Sequence, residues 1–392
     1  MAQASIGAKL FVQILKKSRF GSVEVVFPDL TKKTFGEGDV IAHLTIKNWK
    51  AIDEIINKGD LGLAEAIIEG DLEVDNTAAL IEWACRNDQS LGQALHGTLL
   101  GTFLYKIKNV LKRNSKVQAK KNIMAHYDLG NDFYKLWLDD TMTYSSGIFT
   151  KTDESLKQAQ LNKYDRMIEQ LNLKSGDHIL EIGCGWGGFF SRAVERTGCK
   201  VTAVMNSPNQ ARHNRQMIQE KGFKSHVDLQ EIDYRDIQGK YDKVVSIEMI
   251  EAVGRDYWPA YFQAIARLLK PGGRACIQSI VIDDALFDRY AQSTDFIQQY
   301  IFPGGFLPSR ATFVAQAQAA GLQVMDTLAF GQDYAETLQR WRKAFVSQQE
   351  HLSALGFDRR FERTWLFYLA YCEAAFAEHN TDVVQFTLRK PA

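Results

Sequence analysis

The sequence predicts a small α+β domain followed by a Rossmann-like, doubly wound α/β domain. Three observations carry this. Lys174–Gly188, KSGDHILEIGCGWGG, joins a short apolar run, His178–Ile182, to a glycine-rich turn, and Phe189–Val194 resumes at helical spacing, the first unit of a nucleotide-binding sheet. From residue 174 onward, apolar strand-like runs alternate with helical ones, as in a parallel sheet covered by helices. Residues 1–90 lack that alternation: after a first short helix, strand-like segments come together and a run of helices follows them.

The chain has 392 residues, enough for about two domains with separate cores. Basic and acidic side chains both number 47, so overall charge gives no case for a nucleic-acid partner. The 5 cysteines, Cys85, Cys184, Cys199, Cys276 and Cys372, lack CxxC or Cys/His spacing. That favours a reducing, cytoplasmic setting and argues against structural zinc. No apolar run reaches the ~18 residues of a membrane span, so the association expected is peripheral, on the inner face of the membrane.

Residues 5–20 read as an amphipathic helix, suited to packing on its own domain or to lying on a membrane surface. Strands are expected at Ser22–Phe27 and Val40–Ile46, with Pro28-Asp29 and Gly36-Glu37-Gly38 as turns. Helices follow at Asn48–Asn57, Leu61–Glu69 and Thr77–Asn87, the last capped by Asp75 or Asn76. Residues 91–121 form a linker: an apolar stripe from Leu99 to Leu111 overlaps seven basic residues between Lys106 and Lys121, with no acidic one among them. This is either a solvated linker or a footprint for anionic lipid. Residues 122–150 gather His126, Tyr127, Asp128, Asn131, Tyr144, Ser145 and Ser146, a density that marks a lid or pocket wall.

The third domain segment, 122–392, holds the sheet. Strands are expected at His178–Ile182, Lys200–Met205, Val227–Glu231, Lys243–Ile247 and Arg274–Ile282, with helices at Gly188–Thr197, Pro208–Lys221 and Asp256–Leu269. Beyond them, Thr312–Ala320, Leu338–Gln349 and Phe361–Glu378 read as helices. The turn has the form E-x-G-x-G-x-G: Glu181, Gly183, Gly185 and Gly187. A carboxylate before the first glycine can bind ribose hydroxyls. The second strand ends in Met205-Asn206-Ser207, where an NAD enzyme would place its ribose-binding acid. S-adenosylmethionine (SAM) is therefore the ligand expected.

Taken in order, HYDLGNDFY, MTYSS, LEIGCGWGG, DYRD, EMIEAVG, YIFPGGFLPS and FGQDYAETLQRW resemble the cyclopropane-fatty-acyl-phospholipid synthase family over nearly the whole chain. The resemblance implies a SAM-dependent transferase acting on the cis double bond of acyl chains in membrane phospholipids. It also implies an N-terminal lipid-binding domain, a homodimer, and a cyclopropane product formed by a carbocation that bicarbonate deprotonates. Carried over by motif, Glu181, Gly183, Gly185, Gly187, Tyr144, Ser145, Asn206, Ser207, Gln210, Asp233 and Tyr234 bind SAM. Glu251, Tyr334, Ser146, Gln278 and the backbone of Ile280 surround bicarbonate.

Ser146 and Gln278 stand where the family's best-known members carry cysteine and histidine. Hydroxyl and amide can donate to an anion, but neither carries charge. Such substitutions resemble those of branches making methylene- or methyl-branched chains, the latter with a separate reductase partner. A lipid-binding protein without activity is the reading from another class. Tyr290, Phe296, Tyr300, Phe302 and Phe306 are candidates for stabilising a cation with their ring faces, or for packing alone.

Overall fold

The computed structural model describes residues 6–89, 91 and 129–392. The basic run Lys106–Lys121 and the residues His126, Tyr127 and Asp128 lie outside them. The chain divides into two compact units, each discontinuous in sequence. The first takes residues 1–111, 289–301 and 341–380; the second takes 112–288, 302–340 and 381–392.

In the first unit, β1 (Gly21–Val26), β2 (Lys32–Glu37), β3 (Val40–Ile46) and β4 (Leu72–Val74) form a sheet in the order β2-β1-β3-β4. Strand β2 falls partly on an expected turn. Phe35 is its one buried side chain, and an edge strand with lysines carries little apolar signal. Asn76, rather than Asp75, caps Thr77–Arg86, its Oδ1 accepting from the Ala79 amide at 3.2 Å; Asp75 instead accepts from the His43 amide at 2.8 Å.

Residues 289–301 and 341–380 were expected in the catalytic segment 122–392 and instead complete the first unit. Helix Arg359–Ala377 packs on helices Thr77–Arg86 and Asp60–Glu69. Phe296 is fully buried against Tyr300, Phe367 and Tyr371, and the Tyr300 hydroxyl donates to Glu65 at 2.7 Å. Aromatic amphipathic helices serve a pocket wall or a domain core equally well, and chain order does not distinguish the two.

The second unit is a seven-stranded sheet in the order β10-β11-β9-β8-β5-β6-β7. Its strands are β5 (His178–Ile182), β6 (Lys200–Val204), β7 (Val227–Gln230), β8 (Tyr241–Ile247), β9 (Leu269–Ile282), β10 (Gln323–Ala329) and β11 (Thr381–Arg389). Strands β5 to β9 run parallel, while β11 lies antiparallel to β9 and β10. This is the Rossmann-like architecture expected, extended by an antiparallel pair. One buried layer joins Leu180, Val244 and Ile277 to Phe262 and Phe313; the other joins Ile179, Val201 and Val245 to Phe189 and Phe190. The chain winds from β5 to β6 on one side and later sets β8 on the other. That reversal opens a crevice at the carboxyl ends of β5 and β8, where such sheets bind ligands.

Candidate active site

The turn after β5 supplies the floor of that crevice. Gly183, Gly185 and Gly187 adopt φ of +79°, +50° and +85°. The Gly183 and Cys184 amides both donate to the Val204 carbonyl, at 2.9 and 3.1 Å, which ties the turn to β6. A Cβ on Gly187 would lie 2.5 Å from Met217 and Phe190, so this glycine is a packing requirement. A Cβ on Gly185 would meet nothing within 4 Å. Gly185 faces the cavity, and its position stays open for a ligand.

Tyr144, Ser145, Glu181, Gly183 and Gly185 line one cavity, joined by Asn206, Ser207, Gln210 and Tyr234 from the far side. Ser207 also caps helix Pro208–Glu220. Two SAM candidates lie elsewhere. Gly187 sits behind the turn, and Asp233 turns to Arg235, accepting from its Nε and Nη2 at 2.7 Å each. Glu181 is buried, and burial pushes its carboxyl well above the usual range while the Phe190 amide draws it back. Its Oε2 and the Tyr234 hydroxyl lack a protein partner. Orphaned polar atoms in a cavity floored by a glycine turn at a helix N-terminus fit a polar adenosyl ligand. The residues present therefore fit SAM.

The candidate catalytic residues separate into two groups. Ile280 donates its amide to Glu251, whose other oxygen has no protein partner. Ser146, Gln278 and Tyr334 converge instead on Glu248, which follows β8 and was not anticipated. The Ser146 amide and Gln278 Nε2 donate to Oε1 at 3.0 and 2.8 Å, and the Tyr334 hydroxyl donates to Oε2 at 2.7 Å. The Ser146 hydroxyl, expected at an anion, donates to the Gly147 carbonyl at 2.9 Å. Burial raises both carboxyls. Glu251 is pushed up to about 8, by burial first and by the Glu248 charge second. Glu248 is raised by burial and held back chiefly by Lys163.

Helix Leu156–Leu171, also absent from the sequence reading, braces this group from behind. Gln160 Nε2 donates to the Ser145 carbonyl at 2.8 Å, and the fully buried Lys163 donates to the Ser145 hydroxyl at 2.6 Å. Burial pushes the Lys163 amine down to about 7 against the pull of Glu248 and Asp139. Tyr134, Trp137, Tyr144 and Trp186 pack ring to ring beside the cavity, at 4.8–5.7 Å between centroids. Of the aromatic candidates for cation stabilisation, Tyr290, Phe296 and Tyr300 belong to the first unit. Phe302 and Phe306 belong to the second, where Phe306 donates its amide to the Glu251 carbonyl at 2.8 Å.

The profile of the mycolic acid cyclopropane synthetase family matches residues 114–386. The chain belongs to this family. A domain of unknown function matches residues 10–95. The tuberculostearic acid methyltransferase of Mycobacterium tuberculosis is 43% identical over 285 residues, 70% of this chain and 66% of that protein, just under two thirds of its length. The cyclopropane-fatty-acyl-phospholipid synthase of Escherichia coli is 31% identical, with 89% of this chain and 88% of that protein aligned. The crystal structure of a mycolic acid cyclopropane synthase complexed with SAH and CTAB superposes with a TM-score of 0.65 at 32% identity, covering 69% of this chain and 98% of that one. The relatives are thus named as fatty acid methyltransferases and cyclopropane synthases, and the cavity here fits the SAM such enzymes use.

Bicarbonate fits less well than SAM. Three of the residues expected to hold it, Ser146 through its backbone amide, Gln278 and Tyr334, donate to the Glu248 carboxylate instead.

Proposed function

We propose that the enzyme methylates the cis double bond of unsaturated acyl chains in membrane phospholipids and releases a methylene-branched chain, which a separate reductase converts to a methyl branch. One observation carries the reading: the cavity floored by the glycine turn is lined by Glu248 as well, so a methyl donor and a proton acceptor share it. When bound, SAM supplies a methyl group made electrophilic by its sulfonium. Glu181, Asn206, Gln210 and Tyr234 orient that ligand, and Tyr144 and Ser145 border its methionine end. The aromatic wall keeps water from a cationic chain carbon, which water would quench to an alcohol. The identity to a tuberculostearic acid methyltransferase and the presence of Ser146 and Gln278 support a branched product.

The family description and the Escherichia coli relative favour a second reading, ring closure to a cyclopropane. In either case we place the enzyme as a homodimer on the cytoplasmic face of the membrane. Among the described residues no helix is long and apolar enough to cross one. The deciding experiment is incubation with methyl-deuterated SAM and vesicles of mono-unsaturated phospholipid, followed by NMR of the recovered lipid. Vinylic resonances are expected. Cyclopropyl resonances would replace the first reading with the second, and unlabelled chains alongside measurable SAM binding would refute the substrate assignment.

A further inference from the structure

Glu248 stands at a backbone position made for glycine. Its φ is +48°, in the left-handed region that L side chains rarely adopt. Its amide is fixed there by donating to the Gln278 carbonyl at 2.8 Å. A strained residue persists where its surroundings over-determine it, and such residues gather at functional sites. Here the side chain explains the strain, because three donors from three separate segments close on its two oxygens. Gln385 Nε2 donates to Gln278 Oε1 at 3.0 Å, which leaves the Gln278 amide nitrogen facing Glu248. Behind the Ser145-Ser146 step, the buried Lys163 places a cationic group whose field acts on Glu248.

We infer that Glu248 is the enzyme's built-in proton acceptor, replacing the exchangeable bicarbonate that the family resemblance implies, with Lys163 as its buried counter-cation. The inference rests on the methyl transfer proposed above and deepens it. The π pair of the acyl double bond forms the new C–CH3 bond, the old C–S pair stays on sulfur, and the neighbouring chain carbon is left cationic. The Glu248 carboxylate then takes one proton from the transferred methyl group, after a hydride shift between the two chain carbons. The released C–H pair forms the exocyclic double bond; without the hydride shift it closes a ring. The proton rests on Glu248 until it passes to solvent, and no ion is consumed. Glu251 from the next turn, Lys163, Tyr164 and Tyr334 are the titratable groups that interact with this carboxylate, and Asp139 acts on Lys163.

Two measurements on the full-length enzyme test this. In carbonate-free buffer the parent should turn over at its full rate, and added bicarbonate should leave that rate unchanged. E248Q should lose about 10²-fold or more while still binding SAM by calorimetry. E248G should be equally slow and regain activity when bicarbonate or formate refills the vacated site. K163M should move the acid limb of the pH–rate profile to higher pH, and K163R should return it; a lysine that only supports structure would leave the limb in place. Without turnover, carbon-13 bicarbonate should bind SAM-loaded E248G and not the SAM-loaded parent. Bicarbonate binding to the parent, or a parent rate that depends on it, would overturn the inference. Unlabelled acyl chains with a bicarbonate-free parent would instead fault the substrate and leave Glu248 standing.

Discussion

Glu251 binds a proton in the folded protein that it gives up when the chain unfolds. Its folded value of about 8 lies above the ordinary 4.5, because burial and the neighbouring Glu248 charge both disfavour ionisation. Between those two values the folded state holds more protons than the unfolded one, so this group's contribution to stability falls as pH rises through the window and is flat above it. Glu251→Gln cannot titrate, and its amide resembles the protonated carboxyl. The variant should therefore lose about 2–6 °C less in Tm than the parent between pH 5 and pH 8.5. Calorimetric melts at both pH values check this, and parallel losses would place the raised carboxyl elsewhere. Glu251 was legible because it falls in a motif, Met249-Ile250-Glu251. Glu248, three residues earlier, was not singled out. A lone carboxylate after a strand says nothing about φ, and the three donors that hold it come from positions 146, 278 and 334. Lys163 did leave a trace, since it interrupts an apolar stripe formed by Ala159, Tyr164, Met167, Ile168 and Leu171.

At the scale of elements, the strand–turn–helix unit was readable because its demands are local. Its glycines nevertheless answer to different causes, and two substitutions separate them. Gly187→Ala would put a methyl 2.5 Å from Met217 and Phe190 and 2.7 Å from Asn214 at positive φ. Overpacking of this kind costs about 1–3 kcal/mol, so stability and SAM affinity should fall together. Gly185→Ala meets open space and carries only the left-handed penalty of about 1–2 kcal/mol. Its methyl would project into the cavity, so SAM affinity should fall at least tenfold for a small change in urea midpoint. Equal losses of affinity and stability in both variants would mean that Gly185 also serves packing alone. Elements whose cause is distant were harder to read. Strand β11 is buried almost throughout yet carries Gln385 and Thr387. Gln385 is matched only after folding, by Gln278 and by Arg166, whose Nη1 donates to it at 2.7 Å. Helix Leu156–Leu171 was obscured likewise by Gln160 and Lys163, inward-facing polar groups whose partner is Ser145.

At the scale of the whole molecule, chain order and spatial order part company, and this makes the first unit vulnerable to truncation. Helix Arg359–Ala377 presents one face, stepping through Arg360, Arg363, Tyr371 and on to Glu378, to the N-terminal helices. Arg360 Nε donates to Glu69 at 2.9 Å, Arg363 Nη1 to the Ile68 carbonyl at 3.4 Å and the Tyr371 hydroxyl to Asp60 at 3.4 Å, while Arg86 meets Glu378 at 2.7 Å. Between these polar contacts lie Phe367, Ala370 and Ala374, all buried. Each large apolar side chain uncovered costs about 1.5–3 kcal/mol, and the whole stability of a domain is only about 5–15 kcal/mol. A chain beginning at residue 112 should therefore expose that face and either associate or lose its near-ultraviolet circular dichroism. The solved mycolic acid cyclopropane synthase covers only 69% of this chain, yet 98% of it aligns, so a related catalytic fold exists without a counterpart to every segment found here. Size-exclusion chromatography with light scattering decides the matter. Aggregates or a broad, non-cooperative melt would show that the helix depends on residues before 112 for its cover. A monodisperse fragment that binds SAM and melts cooperatively would show that residues 341–380 find their cover within the remaining chain.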